Sequence, residues 1–334
     1  MKTSLDRGIY MNAYFTIVLI SIVLFFVVWG LGWLLERLSQ TLLSTTRNPG
    51  SRSWYLLVGP GVALHESSHA LGCVFTRTKV VEFKPINVTV QDDRVVLGYV
   101  RYLNPESTIK RAIINLAPVA VSLVLLIFFA LGATYLVPES PGIGGEALNL
   151  LQDLIDMKSN PTILADSIYP LTQIGSFVYL FLHTFAGLTV ISPVFWIVAF
   201  LAMTIMFSNA PSEVDIRNAV GGLKYIILFD LIWLVVAYFV PEAGWLLPGL
   251  FELIAVMFAL ALAFAAVAYG FFILVAAMAR IRAPFQLIPI LACLLAGIAL
   301  WYLSIGTAAF QTVAALAIFI VLTLPILATG SLRA

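Results

Sequence analysis

The chain has 334 residues, of which 61% are hydrophobic and 10% charged, with a net charge of +1. This is too apolar for an ordinary soluble domain and reads as an integral membrane protein. With no basic arm or patch, no nucleic-acid partner is expected, and two distant cysteines, Cys73 and Cys293, define no disulfide framework.

Runs of about 20 apolar residues can cross a hydrocarbon core about 30 Å thick. About eight are expected, near 14–36, 54–76, 112–137, 186–207, 224–241, 248–279, 284–305 and 307–329. The fold class is then an all-α polytopic membrane protein. The basic amino terminus leads into a run too long for a signal h-region, with no small-residue cleavage site after it, so a retained first span is expected. Residues 37–53 are polar and turn-rich and read as an outer linker. Residues 77–111 read as the main inner loop, where "VVEFKPINVTVQDDRVVLGYVRYL" predicts a small cytosolic β-hairpin turning at Asp92-Asp93. Pro85 confines its first strand to an edge or an irregular entry.

Acidic residues dominate 138–170, and "GEALNLLQDLIDM" has the apolar spacing of a short surface helix. The apolar stretch 171–185 reads as re-entrant or interfacial, and "FSNAPSEVDIRNAVGG" as an inner turn. Basic residues near span ends favour the cytoplasm. With both termini inside, only Arg37, Arg47, Arg52 and Lys158 of the 18 Lys and Arg fall outside. A multi-pass protein of the cell membrane with both termini cytoplasmic is therefore expected.

The second span contains "HESSH", with His65, Glu66 and His69, in a chain with three histidines. Four residues are just over one helical turn, so both imidazoles share a face. Two nitrogens can then bind one Zn²⁺ while Glu66 acts as general base on a water activated by the metal, which is hydrolytic chemistry. An accidental match is the bland alternative for any five-residue pattern. Composition alone seldom produces this one with so few histidines, and ionisable groups inside a span are costly and are usually functional or paired.

A catalytic zinc site needs a third protein ligand. His183 lies toward the outer end of its span, too far from His69. Cys73 is one turn beyond His69 on the same helix, where a small buried hydrophobe is the favoured role. Asp215 and Glu213, in the turn after the next span from the outer side, agree in depth with the histidines. Both stay open on spacing alone.

Together these residues resemble the site-2 protease family of intramembrane zinc metalloproteases, in which H-E-x-x-H on one span is followed by a β-containing loop, a further span and an aspartate motif. "HESSH" matches in full, "NLAPVAVSLVLL" from Asn115 is similar to the family's entry to the next span, and "NAPSEVD" stands where the aspartate motif is expected. Its Asn-to-Asp spacing is shorter than the family's, and Ile216 replaces the glycine after the aspartate, as in a divergent member. The resemblance covers about residues 53–222. It implies His65, His69 and Asp215 as zinc ligands with Glu213 as the alternative, Glu66 as catalytic base, and Asn209 as a contact for substrate backbone. It also implies an embedded or membrane-proximal polypeptide substrate in the lipid bilayer, with the hairpin's edge taking up an extended segment by main-chain hydrogen bonds. The chain then divides into a first span with linker over 1–52, a metalloprotease-like core over 53–222, and a four-helix extension over 223–334.

Two rival readings follow from the same residues. Multi-span metalloproteases of the prenylated-protein processing type also pair H-E-x-x-H with a downstream Glu, which would make Glu213 the ligand. A transporter or scaffold could bind a metal or proton through His65, Glu66 and His69 without hydrolysis.

Overall fold

The computed structural model describes residues 12–45, 52–87, 89–91, 94–96, 98–135, 142–191, 194–247, 249–280, 285, 287–306, 311, 314–315, 317–319 and 321–323. The Asp92-Asp93 turn and most of the last apolar run lie outside them. The elements in chain order are α1 (Ala13–Thr45), α2 (Arg52–Thr76), β1 (Val80–Lys84), β2 (Thr89–Gln91), β3 (Arg94–Val96), β4 (Tyr99–Tyr102), α3 (Thr108–Tyr135) and α4 (Gly142–Asp156). They continue with α5 (Pro161–Leu164), α6 (Tyr169–Ile191), α7 (Val194–Ser208), α8 (Glu213–Phe239), α9 (Leu250–Arg280) and α10 (Leu287–Tyr302).

The protein is a helical, membrane-type chain with a small β element. Among the described residues, four helical stretches are long and apolar enough to cross a membrane: Ala13–Ser39, Thr108–Gly132, Val214–Phe239 and Leu250–Val275. α2 is not among them, because the polar residues of "HESSH" dilute its apolar run. α1 continues to Thr45, through residues expected to begin a linker. The residues expected as a span over 186–207 lie in α6 and α7, on either side of 192–193, which fall outside the described residues, and α6 absorbs the stretch expected to be re-entrant. The short helix expected near Gly145 is α4, which rests on α3 and buries Ile143, Leu150 and Leu154.

The loop after α2 forms two successive antiparallel ladders. β1 pairs with β4 (Phe83↔Val100), and β2 pairs with β3 so that Gln91↔Arg94 leaves a two-residue connection. Gly98 separates the two ladders, and a Cβ there would lie 2.5 Å from the Pro85 carbonyl oxygen.

The chain forms two compact units. The first, Met1–Tyr179 with Thr204–Ala265, holds the motif helix, the β element, α3, α8 and the first half of α9. In it α1 buries Tyr14, Ile17, Val18, Leu24, Val28 and Leu35, a helical stripe. α8 packs on α1 and α3 without a break at 222, the expected segment boundary. The Lys158 ammonium lies 5.8 Å from the Tyr14 ring centroid. Lys158 and the amino-terminal end of α1 therefore share one end of this unit, where the count of basic residues placed them on opposite faces. The second unit, Leu180–Met203 with Ala266–Ala334, contains His183 and a cluster of Phe319 with Ile273, Leu274, Ile290 and Cys293.

Candidate metal centre

Close backbone approaches set the site. At Gly72 of α2 an added Cβ would lie 2.9 Å from the Ile114 Cα of α3, and at Gly61 it would lie 2.8 Å from the Thr204 carbonyl oxygen of α7. Small residues let helices approach this closely. The consequence is that carbonyls of two neighbouring helices reach the histidines of α2.

His65 Nδ1 bonds the Ser208 carbonyl at 2.8 Å, and His69 Nδ1 bonds the Ile114 carbonyl at 2.8 Å. A carbonyl only accepts, so each Nδ1 donates and each neutral ring keeps its lone pair on Nε2. The two Nε2 atoms face one another at 3.0 Å. Asp215 joins them, with Oδ2 3.3 Å from His65 Nε2 and Oδ1 3.1 Å from His69 Nε2. All three side chains are buried.

Asp215 is held by the start of its own helix. Ser212 caps α8, accepting from the Asp215 backbone N–H at 3.1 Å, while Asp215 Oδ2 accepts from the Ser212 N–H at 2.9 Å and hydroxyl at 2.7 Å. This reciprocal capping box fixes the carboxylate and leaves Oδ1 turned to His69. Asp215 is thus the carboxylate brought to the histidines, and the Glu213 side chain lies outside the described residues. Cys73 is buried and stays out of the group, the one such cluster among the described residues.

The donor set fits zinc. Two imidazole lone pairs and a carboxylate converge at 3.0–3.3 Å, and one shared proton cannot satisfy all three contacts. Ligands about 2.0–2.1 Å from a tetrahedral ion stand about 3.3 Å apart, close to these separations. The carbonyls on each Nδ1 and the serine on Asp215 are the outer partners that orient ligands in zinc sites.

Glu66 is half-buried next to His65, and its carboxylate accepts a hydrogen bond from the Val100 backbone N–H of β4. β4 has β1 as its ladder partner, and Val100, opposite Phe83, gives its N–H to Glu66. Tyr102, two residues on, bonds the Asn115 carboxamide at 3.2 Å and also Asn218 of α8, and burial raises its phenol pKa. Asn209 is buried at the end of α7, its Oδ1 without a hydrogen-bond partner among the described residues. Sequence reasoning passed over Ser212 and Tyr102. The Ser-x-x-Asp spacing of "SEVD" is a capping signature that points to Asp215 over Glu213, whereas nothing in the sequence announces Tyr102.

Comparison of the chain with protein-family models, curated proteins and solved structures finds no match.

Proposed function

We propose that the protein is an intramembrane zinc metalloprotease hydrolysing membrane-embedded or membrane-proximal polypeptides near the cytoplasmic face. The observation that carries this reading is the convergence of three acceptors, His65 Nε2, His69 Nε2 and the Asp215 carboxylate, beside Glu66. Zn²⁺, when bound, lowers the pKa of a water toward about 7 and polarises a peptide carbonyl. His65, His69 and Asp215 hold the ion, with Ser208, Ile114 and Ser212 fixing their orientation.

Glu66 is the general base: its carboxylate takes a proton from the attacking water and returns it to the leaving nitrogen. The place of β4 beside Glu66, with β1 as its ladder partner, supports a part for β4 in substrate alignment. An extended segment beside β4 would make main-chain hydrogen bonds, and a substrate helix must unwind first because its own ladder occupies its carbonyls.

The purified protein is expected to retain about one zinc per chain. Glu66→Gln is expected to keep the metal and lose hydrolysis of a single-span substrate in detergent. Proteolysis surviving in that variant would sink the proposal. Zinc retained by Asp215→Ala but lost in Glu213→Ala would favour the prenylated-protein processing type instead.

A further inference from the structure

Away from the acceptor cluster, α3 turns one face into an open groove of about 580 Å³ between α2 and α8. Leu71 and Phe75 of α2, Ile113 and Ala120 of α3, and Tyr225 and Phe229 of α8 line it, and its walls are carbon almost throughout. Phe75 is 77% exposed and Tyr225 64%, so the groove opens sideways from the unit.

Its carbon lining offers almost no hydrogen-bond partner to a polar ligand, and the space suits a flexible hydrocarbon chain.

Charge gathers where the lining helices converge. The Leu103 N–H bonds the Lys79 carbonyl at 3.0 Å, tying the segment after α2 to the one that leads into α3. Arg77 and Lys79, just beyond Phe75, and Lys110, between lining residues Ile109 and Ala112, are all exposed, against the exposed acid Glu106. An apolar slot between spanning helices with a basic mouth has the chemistry of an anionic-lipid site.

We propose that this groove binds an acyl chain of an anionic phospholipid from the surrounding bilayer, with the headgroup phosphate on Arg77, Lys79 and Lys110. The occupant would touch two helices that carry the acceptor cluster, since Gly72 on the groove wall is three residues from His69 and Gly222 seven from Asp215. The proposal does not depend on the hydrolase reading.

The test is lipid retention by the full chain, read by native mass spectrometry from detergent micelles with equal phosphatidylglycerol and phosphatidylcholine. Wild type is expected to retain phosphatidylglycerol selectively. Lys79→Gln with Lys110→Gln is expected to cut that preference at least about tenfold, at roughly fivefold per cation near an anionic headgroup. Ala120→Trp, an exposed position on the groove floor, is expected to abolish retention. Equal retention of the two lipids by wild type, or an unchanged preference in the charge variant, overturns the proposal. A photoreactive phenylalanine at position 113 tests the occupant separately: cross-linking to phospholipid supports the assignment, and cross-linking to a polypeptide overturns it.

Discussion

Lys158 and Glu252 form a buried pair in which donor meets acceptor. Nζ lies 2.7 Å from Oε1, with the two side chains 3% and 0% exposed, and the ammonium also faces the Gly244 carbonyl and the rings of Tyr14 and Trp245. Tyr14 in turn accepts from the Trp233 indole at 2.8 Å. At His65, His69 and Asp215, in the same unit, acceptors face acceptors. The Lys158 cluster supplies its own counter-charge and holds helix ends together, whereas the histidine cluster has no Lys or Arg among its members and could hold a metal ion. A buried polar group in an apolar chain is therefore weak evidence of function by itself, and the sign of its neighbours separates the two cases.

The largest expected effect breaks the histidine cluster. Asp215→Ala removes one of the three proposed ligands, so zinc should be lost on dialysis and hydrolysis should fall by about 10³-fold or more, as the loss of several kcal/mol of metal-derived stabilisation implies. Metal analysis beside a turnover assay reads both, and a variant that keeps both would remove Asp215 from the site.

Next comes the self-complete cluster. Lys158→Met leaves Glu252 as an unpaired buried charge and should cost about 3–5 kcal/mol in unfolding free energy, whereas Lys158→Met with Glu252→Leu should return most of it. Zinc content should not change in the double variant. Equal destabilisation by the single and double changes would show that the two side chains do not act as a pair.

A smaller effect distinguishes the clusters by their response to metal. Zinc at about 100 times its Kd should stabilise wild type by about 2.7 kcal/mol through mass action. The Lys158→Met, Glu252→Leu protein should gain the same increment and Asp215→Ala little. Unfolding followed by tryptophan fluorescence with and without a chelator gives the comparison.

The same contrast explains what the sequence made legible. The helical nature of the chain and the hairpin strands flanking Asp92-Asp93 follow from local rules of period and turn chemistry, and the shared face of His65 and His69 from helical spacing, whereas "NAPSEVD" was joined to "HESSH" by expected depth and family resemblance. The expectation that Lys158 and the amino end of α1 lie on opposite faces did not survive, because Lys158 packs on Tyr14 and Asn12 bonds the Ala237 carbonyl near the end of α8, long-range contacts that a count of basic residues cannot register. The carbonyls that orient His65 and His69 depend on backbone contacts at Gly61 and Gly72, and such long-range approaches have no local signature.

Ser212 gives the finest test, because it serves both the helix and the candidate site. Loss of a capping side chain costs about 0.5–2 kcal/mol, while loss of a partner that orients a metal ligand weakens metal affinity about 10–100-fold. Ser212→Ala should show both in the chain without metal and the chain with it. Ser212→Asn retains an acceptor for the Asp215 backbone N–H but loses the hydroxyl that donates to Oδ2, so it should recover stability and leave zinc affinity reduced. A titration in which Ser212→Asn binds zinc as wild type does would make the serine hydroxyl a cap and nothing more, and would leave the orientation of Asp215 to the backbone N–H of residue 212 and the two histidines.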